Sequence, residues 1–236
     1  NPLLRITDIE AIAAAAHDVS ALVVADNTFL SPCGQNPLAL GADIVLHSTT
    51  KYINGHSDVV GGVVVARDPG MVEELGWWAN CLGLTGSPFD SFQALRGLRT
   101  LGVRYERQSA NAAAIAAYLA DHSRVETVFY PGLARHAGHA VAARQQKSFG
   151  AMISFEVDAQ TDRVPDLLKR LKLFTLAESL GGVESLVAHP GTMTHAALSA
   201  EDQAAAGIGA GLLRLSIGIE NLEDLVADLA AGLDAL

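Results

Sequence analysis

Cysteine is nearly absent: Cys33 and Cys81 are the two thiols among 236 residues. Neither has a companion at the spacing of a disulfide framework or a thiolate metal site. That argues against a disulfide-stapled secreted scaffold and fits a reducing compartment, so a cytoplasmic location is expected. Positive charge is also scarce. Sixteen Lys and Arg stand against 26 Asp and Glu, giving a net charge of -10 and a pI near 5.1. Nucleic acid and anionic membrane surfaces select basic patches, so neither is expected as a partner. The chain has no window of about 18 uncharged apolar residues, so no transmembrane helix is expected. It also lacks the pattern of a signal peptide. Charged residues are few (18%) and hydrophobic ones make up 50%, which supports a substantial core and argues against disorder. An initiator Met is missing too. The chain opens Asn1-Pro2-Leu3-Leu4-Arg5, already strand- or helix-like, and is expected to begin inside a longer protein.

What is present reads as two kinds of unit. Asp8 is a plausible cap for an Ala-rich helix over 9–19. Residues 21–25, 43–47 and 63–66 are near-continuous apolar runs, with short helical turns such as 37–40 between them. This predicts buried strands of a doubly wound, mostly parallel sheet. Helices are expected over 72–82, 89–99 and 105–122 from apolar residues at three- and four-residue spacing. Strands then follow at 125–130, 151–157 and 212–219, with helices near 165–171 and 222–236. That pattern predicts an α+β unit, an antiparallel sheet with helices on one face. The boundary is placed inside the long helix, dividing the chain into 1–104 and 105–236.

Lys51 stands out. It follows the apolar run Asp43-Ile44-Val45-Leu46 and the hydroxyls of Ser48, Thr49 and Thr50. Burying an ammonium is costly, and the usual outcome is a depressed pKa and a nucleophilic amine. Such lysines make Schiff bases with carbonyl substrates and with pyridoxal phosphate (PLP). Asp26 ends the preceding strand, where open α/β sheets place their ligands. A carboxylate there suits a pyridinium nitrogen; the alternative is a helix cap or loop residue. Ser48 and Thr50 could donate to phosphate oxygens or cap the next segment. Arg214, among aliphatic residues at 212–217, suits a substrate carboxylate because its rigid fork matches two oxygens; the alternative is an edge-strand arginine with its head in solvent. His47, His56, His189 and His195 match no zinc spacing, and no metal site is expected. Trp77-Trp78 read as core or interface, Gly181-Gly182 as a turn, and Arg96, Arg99, Arg104 and Arg107 as a solvated or subunit-facing stripe.

Taken together, the residues resemble a known family. Asp26-Asn27-Thr28-Phe29, Ser48-Thr49-Thr50-Lys51-Tyr52-Ile53-Asn54-Gly55-His56-Ser57-Asp58, Ala177-Glu178-Ser179-Leu180-Gly181-Gly182, His189-Pro190-Gly191-Thr192-Met193-Thr194-His195 and Leu213-Arg214-Leu215-Ser216 occur in order. They are similar to the signature segments of the Cys/Met-metabolism PLP enzymes. Trp77-Trp78-Ala79-Asn80 and Ala143-Arg144-Gln145-Gln146-Lys147 look more like its γ-replacement branch than its γ- or β-lyases.

The resemblance implies an aspartate-aminotransferase-like (fold type I) α/β fold. In it, 1–104 is the C-terminal part of the large, mostly parallel-sheet domain and 105–236 is the smaller α+β domain. It implies PLP covalently on Lys51, Asp26 at the ring nitrogen, Ser48 and Thr50 at the phosphate, and Asn1 near the ring oxygen and substrate carboxylate. It also implies Ser179 orienting the lysine, Arg214 on the substrate carboxylate and Glu178 toward a distal amino group. The implied activity joins cysteine to an activated homoserine ester, O-succinyl-L-homoserine, in a homotetramer; the alternatives are a γ-eliminating lyase of the same family and a truncated chain without catalysis. The family fold begins before Asn1, so further phosphate- and ring-contacting residues are expected outside this chain.

Overall fold

A computed structural model describes residues 1–158 and 163–236. The first unit is built on β1 (Val24–Asp26), β2 (Ile44–Ser48) and β3 (Gly62–Ala66). Ahead of them runs α1 (Ile9–His17), whose first turn is held as the sequence predicts: the Asp8 carboxylate accepts from the Ala11 N–H at 3.2 Å. The short helix α2 (Ser31–Gly34) and a 3-10 turn, Pro37–Leu40, connect β1 to β2. β1 and β2 are parallel, with Asp26 opposite Leu46.

β3 departs from the expectation, because it pairs antiparallel with β2. The connection between them explains why. It spends residues 49–61 on the turn that carries Lys51, and the Thr49 N–H donates to the Gly61 carbonyl at 2.9 Å. The chain is thus returned to the end of β2 it just left, and a strand starting there must run backwards. The strands are also less buried than predicted. Val63, Val64 and Val65 are 39%, 49% and 41% exposed, because the described helices cover this three-stranded sheet only in part. α3 (Pro69–Leu82) and α4 (Pro88–Leu98) follow, with Trp77 and Trp78 exposed and edge-to-face on each other.

The second unit starts from α5 (Leu101–Ala120) and continues through β4 (Val125–Phe129), α6 (His139–Gln145), β5 (Met152–Val157), α7 (Val164–Arg170), β6 (Thr175–Leu176), β7 (Leu186–Ala188), α8 (Ala200–Ala206), β8 (Leu212–Ser216) and α9 (Leu222–Leu233). Its sheet has the order β4-β5-β8-β7-β6, antiparallel except for the parallel pair β6 and β7. The short strands β6 and β7 and the helices α6 and α8 were not predicted. None has the length or the apolar period that marks an element in sequence.

One face of this sheet packs on helices. Ile153, Phe155, Leu213 and Leu215 share a core with Ile115 and Leu119 of α5 and Leu225 and Leu229 of α9. Burying each such side chain is worth roughly 1.5–3 kcal/mol. The other face is not open to solvent either. Successive residues of a strand point to opposite sides, so Leu212 leaves the helix side and packs with Leu3 and Ile208. All five residues of β8 are therefore buried. Arg214 shares that second face, which looks toward the first unit and the lysine.

Candidate active site

Lys51 is placed by a wide, π-type turn, Thr49–Ile53, that follows β2 directly. The turn is closed by the Asn54 N–H on the Thr49 carbonyl (2.9 Å) and the Gly55 N–H on the Lys51 carbonyl (2.8 Å). Lys51 itself leaves helical backbone geometry (φ -89°, ψ -126°). Its neighbours Tyr52 and Ile53 are buried, and the Tyr52 ring meets Tyr105 of α5 edge-on at 5.6 Å. Anchored there, the lysine projects a half-buried amine whose Nζ donates to Ser179 Oγ at 3.0 Å. Burial pulls the amine below the ordinary lysine pKa; the nearby Arg214 charge acts the same way and Glu178 opposes them. Both shifts enlarge the neutral, nucleophilic fraction.

Asp26, Ser48 and Asn1 line the same cavity as Lys51, a space of about 710 Å³ whose wall also includes Phe29, Phe149 and Met152. Asp26 sits at the carboxyl end of β1 and accepts from the Thr28 N–H at 2.9 Å. Thr28 in turn accepts the Ser48 N–H on its hydroxyl at 2.9 Å, which ties the ends of β1 and β2 together. The Asn1 side chain closes on Arg5, donating to its carbonyl at 2.7 Å and accepting its N–H at 3.1 Å. Thr50 is not part of the cavity wall; its hydroxyl accepts the Gly61 N–H at 3.0 Å and faces the Gly61 carbonyl.

Arg214 occupies the middle of β8, opposite Ser154 on one side and Ala188 on the other, and is 7% exposed. A position between two strands removes the edge-strand alternative. Its guanidinium donates to the Glu178 carbonyl at 3.1 Å, and among the described residues it forms no salt bridge. A buried fork without an anionic partner suits a ligand carboxylate. Glu178 is exposed, and its negative charge favours the protonated form of Lys51. Ser179 is held by the turn that follows it. The Gly181 N–H donates to Ser216 Oγ at 2.8 Å, and the Val183 N–H to the Gly55 carbonyl at 3.0 Å. Gly181 has φ +79°, and a Cβ there would lie 2.8 Å from the Tyr52 nitrogen. Only glycine allows the loop this close to the lysine turn.

One reading fails outright. Arg104 is not part of a solvated stripe. It is 5% exposed, while Arg96, Arg99 and Arg107 are exposed as predicted. Its heptad company could have revealed it, because Leu101, Tyr105, Gln108 and Ala112 share one helical face with it. Thr28 was also passed over, since a threonine after a strand carries no distinctive signal. The histidines are scattered through the fold. His47 is buried in β2, His56 bonds the Asn54 carbonyl, His189 engages Thr192 and the Ala210 carbonyl, and His195 engages Thr194.

A model of the Cys/Met metabolism PLP-dependent enzymes matches residues 1–234. The chain belongs to this family. Family members of known activity resemble it over its whole length. Cystathionine γ-synthase of Escherichia coli (strain K12) is 59% identical over 235 residues, 100% of this chain and 61% of that protein. Cystathionine γ-lyase of Dictyostelium discoideum is 51% identical over 99% of the chain and 60% of its own length. The crystal structure of cystathionine γ-synthase from Xanthomonas oryzae pv. oryzae, in complex with aminoacrylate and cysteine, superposes with a TM-score of 0.96. It is 64% identical and is matched over 100% of this chain and 61% of its own. The chain therefore spans about 61% of the length of such relatives, and its mixed sheets are those of a fold-type-I α/β protein. The cofactor of the family is PLP. The residues present fit it: an amine with a lowered pKa, a strand-end carboxylate and a hydroxyl-bearing Ser48 line a space of the size small-molecule sites occupy, and a buried guanidinium that forms no salt bridge among the described residues lies near that amine.

Proposed function

We propose that the protein carries out PLP-dependent γ-replacement, joining cysteine to O-succinyl-L-homoserine to give cystathionine and succinate in methionine biosynthesis. The observation that supports this most is the contact of Lys51 Nζ with Ser179 Oγ, 3.0 Å, beside a buried Arg214 that forms no salt bridge among the described residues. Lys51 would hold the cofactor covalently, Asp26 would pair with its ring nitrogen, Ser48 and Thr50 would hold its phosphate, and Asn1 would lie toward its ring oxygen. Bound PLP supplies the electron sink that stabilises negative charge next to the substrate nitrogen.

Arg214 fixes the substrate α-carboxylate, which is positioning rather than chemistry. The Lys51 amine would take the Cα proton and then a Cβ proton, and would return them after the exchange at Cγ. Ser179 keeps Nζ aimed along that path. At Cγ the C–O bond to succinate breaks and a C–S bond to the cysteine thiolate forms. Glu178 faces the distal amino group.

In this reading 1–104 belongs to the large PLP-binding domain and 105–236 forms the C-terminal domain. The holoprotein is a cytoplasmic homotetramer, consistent with free Cys33 and Cys81 and exposed Trp77 and Trp78. The second reading, a γ-lyase, is favoured by the 51% identity to the Dictyostelium enzyme. Full-length protein given O-succinylhomoserine and cysteine should release cystathionine and succinate. Formation of 2-oxobutanoate from cystathionine, with no cystathionine made, would overturn the synthase reading.

A further inference from the structure

Three residues on the buried polar face of α5 donate to backbone carbonyls of other segments. Arg104 donates to the carbonyls of Tyr52 (2.9 Å), Ile53 (3.3 Å) and Gly97 (2.9 Å), and to the Thr100 hydroxyl (3.0 Å). One turn later Gln108 donates to the Gly182 carbonyl at 2.6 Å. One turn further Asn111 donates to the carbonyls of Gly218 (3.2 Å) and Glu220 (3.0 Å). The spacing i, i+4, i+7 puts all three on one face of the helix. Their targets are the three segments of the site: the turn that carries Lys51, the loop that carries Ser179, and the chain leaving the strand of Arg214.

We propose that the stripe Arg104, Gln108 and Asn111 is a positioning device that sets the mutual placement of Lys51, Ser179 and Arg214. These residues do not line the cavity of Lys51; they act through the backbone they hold. Gly55 supports the assignment, since its backbone (φ +72°) and missing side chain leave room for the Arg104 guanidinium, which a Cβ would overlap. Arg104 and Gln108 are 5% and 0% exposed and Asn111 is 1% exposed, so each lost donor would strand a buried carbonyl. One helix thereby holds all three segments, which also meet one another through the bonds of Lys51 to Ser179, Arg214 to the Glu178 carbonyl and Gly181 to Ser216.

The inference rests on the proposed PLP function, and its test separates the two. Full-length, PLP-loaded Arg104→Lys and Gln108→Met variants are compared with Leu225→Ala, a core change away from the site. The expected result is a shift in the pH titration of the visible band of the lysine-linked cofactor, and a kcat lower by roughly ten- to hundredfold with little change in KM. Leu225→Ala should lower the melting temperature without moving the titration. In cofactor-free protein, hydrogen exchange of the Asn54 and Gly55 amides should rise selectively in Arg104→Lys. If both stripe variants behave like Leu225→Ala in titration and exchange, the positioning role is wrong. If wild type shows no visible band, the proposed function fails, and the exchange arm still decides the stripe. Should Gln108→Met not fold, Gln108→Asn, which keeps the amide but shortens its reach, takes its place.

Discussion

A methyl group added at Gly181 would meet the Tyr52 backbone nitrogen at 2.8 Å, well inside ordinary van der Waals contact. Neither partner yields easily. Tyr52 is 1% exposed and sits in the hydrogen-bonded turn of Lys51, so the loop at 179–183 must retreat. Reaching a contact of about 3.4 Å needs a shift of roughly 0.6 Å. The same shift at Ser179 would open its 3.0 Å bond to Lys51 to about 3.6 Å, beyond a hydrogen bond. The left-handed backbone at φ +79° adds about 1–2 kcal/mol for any residue with a Cβ. With the lost bond, worth about 0.5–1.5 kcal/mol, Gly181→Ala should destabilise the protein by about 2–3 kcal/mol. Catalysis should suffer by about tenfold to a hundredfold, because it depends on sub-ångström placement. Urea unfolding of the variant and its kcat with O-succinylhomoserine and cysteine measure the two effects. A variant within about 0.5 kcal/mol of wild type and equally active would refute the close packing of this loop on the lysine turn.

Asp228 of α9 accepts the N–H groups of Lys172 and Leu173, both at 2.8 Å, and of Phe174 at 3.1 Å. Asp228→Ala leaves all three amides without that acceptor and should cost about 3 kcal/mol or more, read by chemical denaturation, with Asp228→Asn intermediate. Lys51→Met should stabilise cofactor-free protein at neutral pH, because a buried ammonium is removed. The folded-state pKa of Lys51 is depressed, so the unfolded chain binds the proton more tightly and wild-type stability rises with pH through that window. The advantage of Lys51→Met should therefore shrink as pH rises through the lowered value toward the ordinary lysine value. A pH-independent difference in melting temperature would contradict the depressed pKa.

The elements that carry chemistry were legible because each has a short-range signature. The strands of Asp26 and Lys51 were recognisable as apolar runs ending in a polar residue, and the strand of Arg214 as an aliphatic run broken by one charge. Asp8 announced the start of α1 by its capping chemistry. What stayed hidden depends on partners far along the chain. The direction of β3 follows from a hydrogen bond between the two ends of a loop, which no local period encodes. β6 and β7 are two and three residues long, too short to show alternation. Arg104 was misplaced because charge dominated its reading. Its burial is specified by the carbonyls of Tyr52 and Ile53, about 50 positions upstream, and by a glycine that makes room for it. At the site itself, the lysine could be found from its neighbours, but its hydroxyl partner Ser179 is 128 positions away.

That distance has a kinetic consequence. The bonds that assemble the site join residues 52, 74, 107 and 128 positions apart. Closing such loops is entropically costly, and contacts of this range form slowly. α5 can form early from local contacts, yet its polar face finds its carbonyls only after β2 and β8 are in place. During refolding, the capacity of Lys51 to capture PLP should therefore appear after most helical signal has returned. Cofactor uptake is then a readout of completed folding.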